Sequence, residues 1–331
     1  MPRKTDIILI ATETDPVAAA VTAAFGAASE DLGSLRRIEP DDFPAGELGR
    51  GAKDVLLIGD SAPGAAATNK FDQIKPGLVQ FLGCRPPTAL VDHLQTAGTV
   101  VAGISPVIAP RVANRVVGLA GPLLSSQNVR RGESGPVWGI VGMGVTGTEV
   151  ARKLVSTDAT VNMADIRTTR SGVLLELGVR RLSLDLLVAG SDALTLHLYP
   201  GATAAPLITA RELGLMKDGA VLINTSHSSI VDEEAVLEAL ATGPLGAYAT
   251  DCPGDVIGNA DASLASSGKL IITTNPLTNQ IGAAQQIAKF ALANVRAFLD
   301  GSNIEGKIDL IDFPITGDPS FWSSRMSPRQ D

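Results

Sequence analysis

A chain of 331 residues is long for one ordinary core and suits two domains, and its 45% apolar and 4% aromatic composition matches layered α/β proteins with buried parallel strands. A formal net charge of -8 without a Lys/Arg cluster argues against a nucleic-acid partner or an anionic membrane surface, which leaves a small molecule as the expected partner. The two cysteines, Cys84 and Cys252, lack disulfide-framework, metal-ligand or redox spacing, so no metal site is expected and the compartment reads as reducing.

In chain order, the run Ile7 to Ala11 is too short for a signal-peptide core. No apolar stretch is expected to reach the ~20 residues that span a bilayer, and the expected location is cytoplasmic. Strands are predicted at Asp6 to Ala11, Asp54 to Gly59, Leu78 to Leu82 and Thr99 to Ala102, with a helix from Pro16 to Phe25 that Asp15 caps. Val107 to Ser125 has apolar residues at helical spacing and is expected to be a connecting helix. A second alternation follows, with strands at Val137 to Val141, Thr160 to Ala164, Ala193 to Leu198, Ala220 to Asn224, Gly246 to Thr250 and Leu270 to Thr274. Such a succession of strands and helices predicts a doubly wound parallel sheet. Ala283 to Leu299 reads as an amphipathic helix returning the chain to the first domain, and the Pro-, Ser- and Gly-rich tail follows Asp312.

The most specific signal lies between Pro136 and Asp165: a strand, then Gly142-Met143-Gly144-Val145-Thr146-Gly147, then a helix. Gly142 permits the tight turn, Gly144 removes a side chain where a pyrophosphate approaches the backbone, and Gly147 lets the helix pack closely on the strand. The helix amides then point at the phosphates. Asp165 follows about twenty residues on, where a carboxylate accepts both ribose hydroxyls and repels a 2′-phosphate, so NAD is expected in preference to NADP. Ile166 and Arg167 continue the same rim, and Arg167 and Arg170 are positive charges that could accept a phosphate, which keeps NADP open as the less favoured cofactor.

From Ser191 the chain resembles the D-isomer-specific 2-hydroxyacid dehydrogenase family, through Ser191-Asp192-Ala193-Leu194-Thr195-Leu196-His197-Leu198, Leu215 to Ser226 and Val231 to Leu240. The resemblance covers roughly residues 100 to 300. It implies a Rossmann-type domain, residues 105–296, inserted into a smaller flavodoxin-like α/β domain, residues 1–104 plus 297–331, that binds substrate. It also implies oxidoreductase chemistry and a homodimer, with Val107 to Ser125 as the expected dimer contact. By carry-over, Thr225 and Ser226 lie beside the nicotinamide, Asp251 binds its carboxamide, and His197, Leu198, Tyr199 and Pro200 border the ribose and adenine.

The pattern breaks at the chemistry. The family's Arg after the Asn-Thr-Ser run is His227 here, followed by Ser228 and Ser229 in place of glycines. An imidazole replaces a two-pronged carboxylate clamp with at most one hydrogen bond. The family's Glu has Asp255 as its nearest counterpart, out of register by one residue, and the family's acid-base His is Asn275, which cannot transfer a proton. Loss of a general acid-base group costs about 10² to 10⁴ in rate. Ordinary 2-keto acid reduction should therefore be weak, and His227, Asn275 and Asp255 become the catalytic candidates of an altered site. Cys84 and Arg85 occupy the place of the family's substrate loop, where Arg85 is the candidate anion partner. The expected function is an NAD-dependent oxidoreductase acting on a CH-OH or carbonyl substrate. The alternatives are an inactive NAD-binding regulator and an NAD-using enzyme whose net reaction is not redox.

Overall fold

The computed structural model describes residues 5–28, 32, 34–43, 53–59, 71, 74–83, 86–126, 135–157, 159–166, 171–198, 206–273 and 281–308. The chain divides into two compact units, Met1–Ile108 with Pro276–Asp312, and a second built on Ala109–Asn275.

The first unit holds a five-stranded sheet of β1 (Ile7–Ile10), β2 (Leu35–Ile38), β3 (Val55–Ile58), β4 (Leu78–Phe81) and β5 (Val100–Ala102), in the order β2-β1-β3-β4-β5. Every pairing is parallel. This 2-1-3-4-5 order is the flavodoxin-like one. Strands β1 and β3 are buried along their whole length, as uninterrupted Ile/Leu/Val runs must be when helices cover both faces. Strand β2, Leu-Arg-Arg-Ile, is not among the predicted strands, because an edge strand with two exposed arginines shows neither an apolar run nor an alternation. Helix α1 (Pro16–Ala27) starts where Asp15 accepts the Val17 amide at 2.8 Å and the Ala18 amide at 3.2 Å, and α2 (Thr88–Thr96) follows β4.

The helix Ala283–Leu299, α11 in chain order, belongs to this unit, with Ile287, Ala288, Ala291 and Val295 buried. Its one buried amide, Asn294, donates to Gln80 Oε1 at 2.7 Å and to Glu305 O at 2.9 Å. Gln80, fully buried in β4, passes its own donors to Phe81 O and Ala102 O. Burial of a polar pair is tolerated only when each atom is satisfied. That network ties the helix to the first sheet, and the chain re-enters the first unit at Pro276, ahead of the 296/297 boundary read from the sequence.

Helix α3 (Ser105–Ser126) contains Pro110 and Pro122, both exposed. By length and composition alone its stretch Ser105–Ser125 is long and apolar enough to cross a membrane, which corrects the expectation that no apolar stretch reaches that length. The reason is its core role: Ala109, Val112, Ala113, Val116 and Ala120 are buried, and the helix also carries Arg111 and Arg115.

The second unit contains β6 (Val137–Val141), α4 (Val145–Val155), β7 (Thr160–Ala164), α5 (Ser171–Leu177), β8 (Arg180–Arg181), α6 (Leu184–Gly190), β9 (Ala193–Leu196), α7 (Ala210–Leu215) and β10 (Ala220–Asn224). A 3-10 turn, α8 (Glu233–Ala241), β11 (Leu245–Thr250), α9 (Asp255–Gly258), α10 (Ala262–Ser266) and β12 (Leu270–Ile272) complete it. The sheet order is β12-β11-β10-β9-β6-β7-β8, all parallel. Counted from its own first strand this is 7-6-5-4-1-2-3, the doubly wound dinucleotide-binding order. The expected fold class, a Rossmann-type sheet and a smaller flavodoxin-like α/β domain, is the observed one. Its direction of winding reverses between β6 and β9, and open α/β sheets bind ligands outside the carboxyl ends of the strands at such a point.

Candidate functional site

Register pairs place the strand ends level across the second sheet: Val141 with Ala164 and Leu196, Leu196 with Asn224, Asn224 with Thr250, and Thr250 with Ile272. The described candidates of this unit lie at or just beyond those ends: the Gly142 turn, Asp165, His197, Thr225 to His227, Asp251 and Asp255. Residues scattered over more than a hundred positions thus share one rim.

The three glycines of the turn have different reasons to be glycine. Gly142 has φ +92, and a Cβ there would lie 2.4 Å from His197 O. Gly147 packs so closely on the turn that a Cβ would lie 2.0 Å from Gly142 O. Gly144 has neither constraint, since its φ of -74 suits any residue and a Cβ would meet no atom within 4 Å. It is also the N-cap of α4 and supplies no side-chain acceptor to the first-turn amides. The fold does not need a glycine at 144, whereas a ligand seated on those amides would. Met143 is buried, Val145 is 49% exposed and Thr146 is half-buried.

Asp165 is buried at the end of β7, and its Oδ2 accepts the Met143 amide at 2.5 Å. The carboxylate therefore ties the second strand to the glycine turn. Arg181 of β8 donates to the Asp165 carbonyl at 2.5 Å. Ile166 packs half-buried against the core. Arg167, Tyr199 and Pro200 lie outside the described residues.

His197 donates its backbone N–H to Val141 O at 2.8 Å, and its Nε2 lies 3.0 Å from Thr195 Oγ1. Burial pushes its imidazole down to about 3, so the ring is neutral near pH 7 and helps shape the rim as an uncharged group. Leu198 donates its amide to Ser226 Oγ at 3.1 Å, while Ser226 Oγ donates to Leu196 O at 2.5 Å. The Ser226 hydroxyl thus bonds the ends of β9 and β10 together. Thr225 Oγ1 is buried with no protein hydrogen-bond partner. Buried hydroxyls are ordinarily satisfied, so an orphan at a strand end fits a polar ligand group.

His227 caps the 3-10 turn Ser228–Ile230, and its Nδ1 accepts the Ser229 amide at 3.2 Å. Asp251 pairs with Arg115 of α3 at 2.7 Å, with side chains 3% and 11% exposed. Arg115 is not foreseen in the sequence, although two arginines, Arg111 and Arg115, within a mostly apolar helix are the signal that could have marked it. Cys252 donates its amide to Thr250 Oγ1 at 3.0 Å, and Glu233 holds the loop beyond it by accepting the Gly254 amide at 2.6 Å and the Ile257 amide at 3.1 Å. Asp255 is an exposed first residue of the short α9, its carbonyl receiving Asn259 Nδ2 at 2.7 Å. Thr273 Oγ1, unremarked in the sequence, is a second buried hydroxyl without a protein partner. Asn275, Cys84 and Arg85 lie outside the described residues, and among the described residues no cluster of metal-ligating side chains occurs.

Residues 124–274 match the family described as D-isomer specific 2-hydroxyacid dehydrogenase, NAD binding domain. The likeness at family level is to that NAD-binding domain. The chain is 32% identical over 117 residues to D-3-phosphoglycerate dehydrogenase of Archaeoglobus fulgidus, covering 35% of this chain and 22% of that protein. It is 29% identical over 175 residues to glycerate dehydrogenase of Methylorubrum extorquens, covering 51% of each. The chain thus spans from about a fifth to about half of the length of these curated relatives. Among solved structures, the PH0520 protein from Pyrococcus horikoshii superposes with a TM-score of 0.76 at 19% identity, covering 93% of this chain and 96% of that one. That likeness extends the shared fold beyond the NAD-binding domain.

Proposed function

We propose that this protein is an NAD-dependent oxidoreductase that interconverts a CH-OH group and a carbonyl on a small molecule, with a site altered from that of its family. The observation that carries the reading is Gly144: a glycine that neither backbone conformation nor packing requires, at the uncapped start of α4, opposite the buried carboxylate of Asp165. The residues present fit a dinucleotide. Amides of the α4 first turn would meet the diphosphate, Asp165 the adenosine ribose, and the orphan hydroxyl of Thr225 the nicotinamide end, with Asp251 as the carboxamide partner. A bound nicotinamide would supply or accept the hydride. His227 would donate a hydrogen bond to the substrate oxygen, and Asn275 would add a second.

NAD is preferred over NADP in this reading because a carboxylate at 165 repels a 2′-phosphate. The family likeness supports a homodimer and a substrate-binding role for the first unit. The cysteine pattern supports a cytoplasmic location. Calorimetry with NADH, followed by a screen of alcohols and carbonyl compounds at the NADH absorbance, tests the whole. Failure of NADH and NAD to bind at millimolar concentration would overturn it. Binding without any turnover would move the protein to the class of cofactor-binding regulators, and NAD consumption or recycling without net redox change to the third alternative.

A further inference from the structure

His227 is an N-cap of an uncommon kind. The usual capping acceptor is a Ser, Thr, Asp or Asn oxygen. Here it is imidazole Nδ1, which takes the Ser229 amide at 3.2 Å with Ser229 Oγ 2.9 Å away. A backbone amide can only donate, so a ring nitrogen that accepts it presents a lone pair; Ser229 Oγ, which can donate or accept, is compatible with that assignment, in which the single proton of a neutral imidazole sits on Nε2. Placing a proton on Nδ1 would set two N–H groups against each other and undo the cap. The backbone of the same residue is fixed from the other side. Asn224, fully buried, accepts the Ser226 amide at 3.0 Å and donates Nδ2 to His227 O at 2.9 Å.

We propose that Ser229 is a positioning residue that fixes His227 as the neutral Nε2–H tautomer, so that His227 meets a substrate carbonyl as a hydrogen-bond donor and not as a cationic clamp for a carboxylate. This rests on the reading in which His227 faces the reacting carbonyl, and it deepens it by naming the substrate class: compounds recognised through C=O rather than through an adjacent carboxylate. A neutral imidazole polarises a carbonyl without surrendering its proton. Reduction would then move a hydride from a dihydronicotinamide, oxidised to nicotinamide, to the carbonyl carbon, while water gives its proton to the carbonyl oxygen and leaves as hydroxide.

The experiment is long-range ¹H–¹⁵N NMR of the imidazoles in the full chain. With three histidines in the sequence, the His227 signals are those missing from His227→Asn. Folded wild-type protein at neutral pH is expected to show a protonated Nε2 and an unprotonated Nδ1. Ser229→Thr should keep that pattern and the wild-type kcat, whereas Ser229→Pro, which lacks the amide, should give mixed tautomers and a kcat lowered about tenfold or more with KM for NADH unchanged. An Nδ1–H tautomer, or a doubly protonated ring, in folded wild-type protein overturns the proposal without needing any variant. An intact Nε2–H tautomer alongside turnover indifferent to His227→Ala would instead count against the placement of His227 at the carbonyl, and so against the reading beneath it.

Discussion

Arg115 Nη1 lies 2.7 Å from Asp251 Oδ2, and both side chains are almost wholly withdrawn from water. A carboxylate so placed needs a cation, and removal of one partner from a buried pair costs about 3–5 kcal/mol. Arg115→Met should therefore destabilise the protein by about that much in urea unfolding, while Arg115→Met/Asp251→Leu should recover most of the loss. An Arg115→Met protein as stable as the wild type would show that the pair is solvated in solution.

The glycine turn gives a sharper contrast. Gly144→Val should leave the urea midpoint within about 0.5 kcal/mol of the wild type, the range of substitutions that disturb no packing, because a Cβ there meets no atom within 4 Å. Yet it should abolish NADH binding by calorimetry. Gly147→Ala should do the reverse in kind and lower stability, since its Cβ would fall 2.0 Å from Gly142 O.

Asp165→Asn keeps an acceptor for the Met143 amide and removes the charge. Stability should change little, NADH affinity should fall about tenfold to a hundredfold for a lost charge-assisted hydrogen bond, and the preference over NADPH should narrow. Unchanged selectivity in fluorescence titrations with both cofactors would show that Asp165 serves only to hold the turn.

Buried His197 has an imidazole pushed from 6.5 down to about 3. A group that binds its proton more readily when unfolded favours the unfolded chain as acid is added, so its contribution is intact above about pH 6.5 and is lost progressively toward pH 3. Urea midpoints measured across that window should fall with a shallower slope in His197→Asn than in the wild type.

Restoring the family's chemistry should restore its reaction. His227→Arg with Asn275→His should raise 2-keto acid reduction by at least about 10², the lower bound for regaining a general acid-base group. No gain in an NADH-coupled assay would place the divergence in the substrate pocket as well.

The sequence alone determined the second sheet almost strand for strand, because buried parallel strands tend to be continuous apolar runs, as β6 is and as β10 is up to its final Asn224. It also marked the Gly142 turn, Asp165 and the replacement at His227, since these depend on residues close in the chain. The tertiary structure decided what chain-local reasoning cannot see. The winding reversal between β6 and β9 brings distant strand ends to one rim, Asn294 meets Gln80 and so allots the last helix to the first unit, and Arg115 finds Asp251 from a helix that reads as a connection between domains. For the last two the physical reason is the same. A buried polar group is satisfied by whatever partner the fold carries to it, and residues separated by 136 or 214 positions leave no periodic trace of that meeting in the sequence.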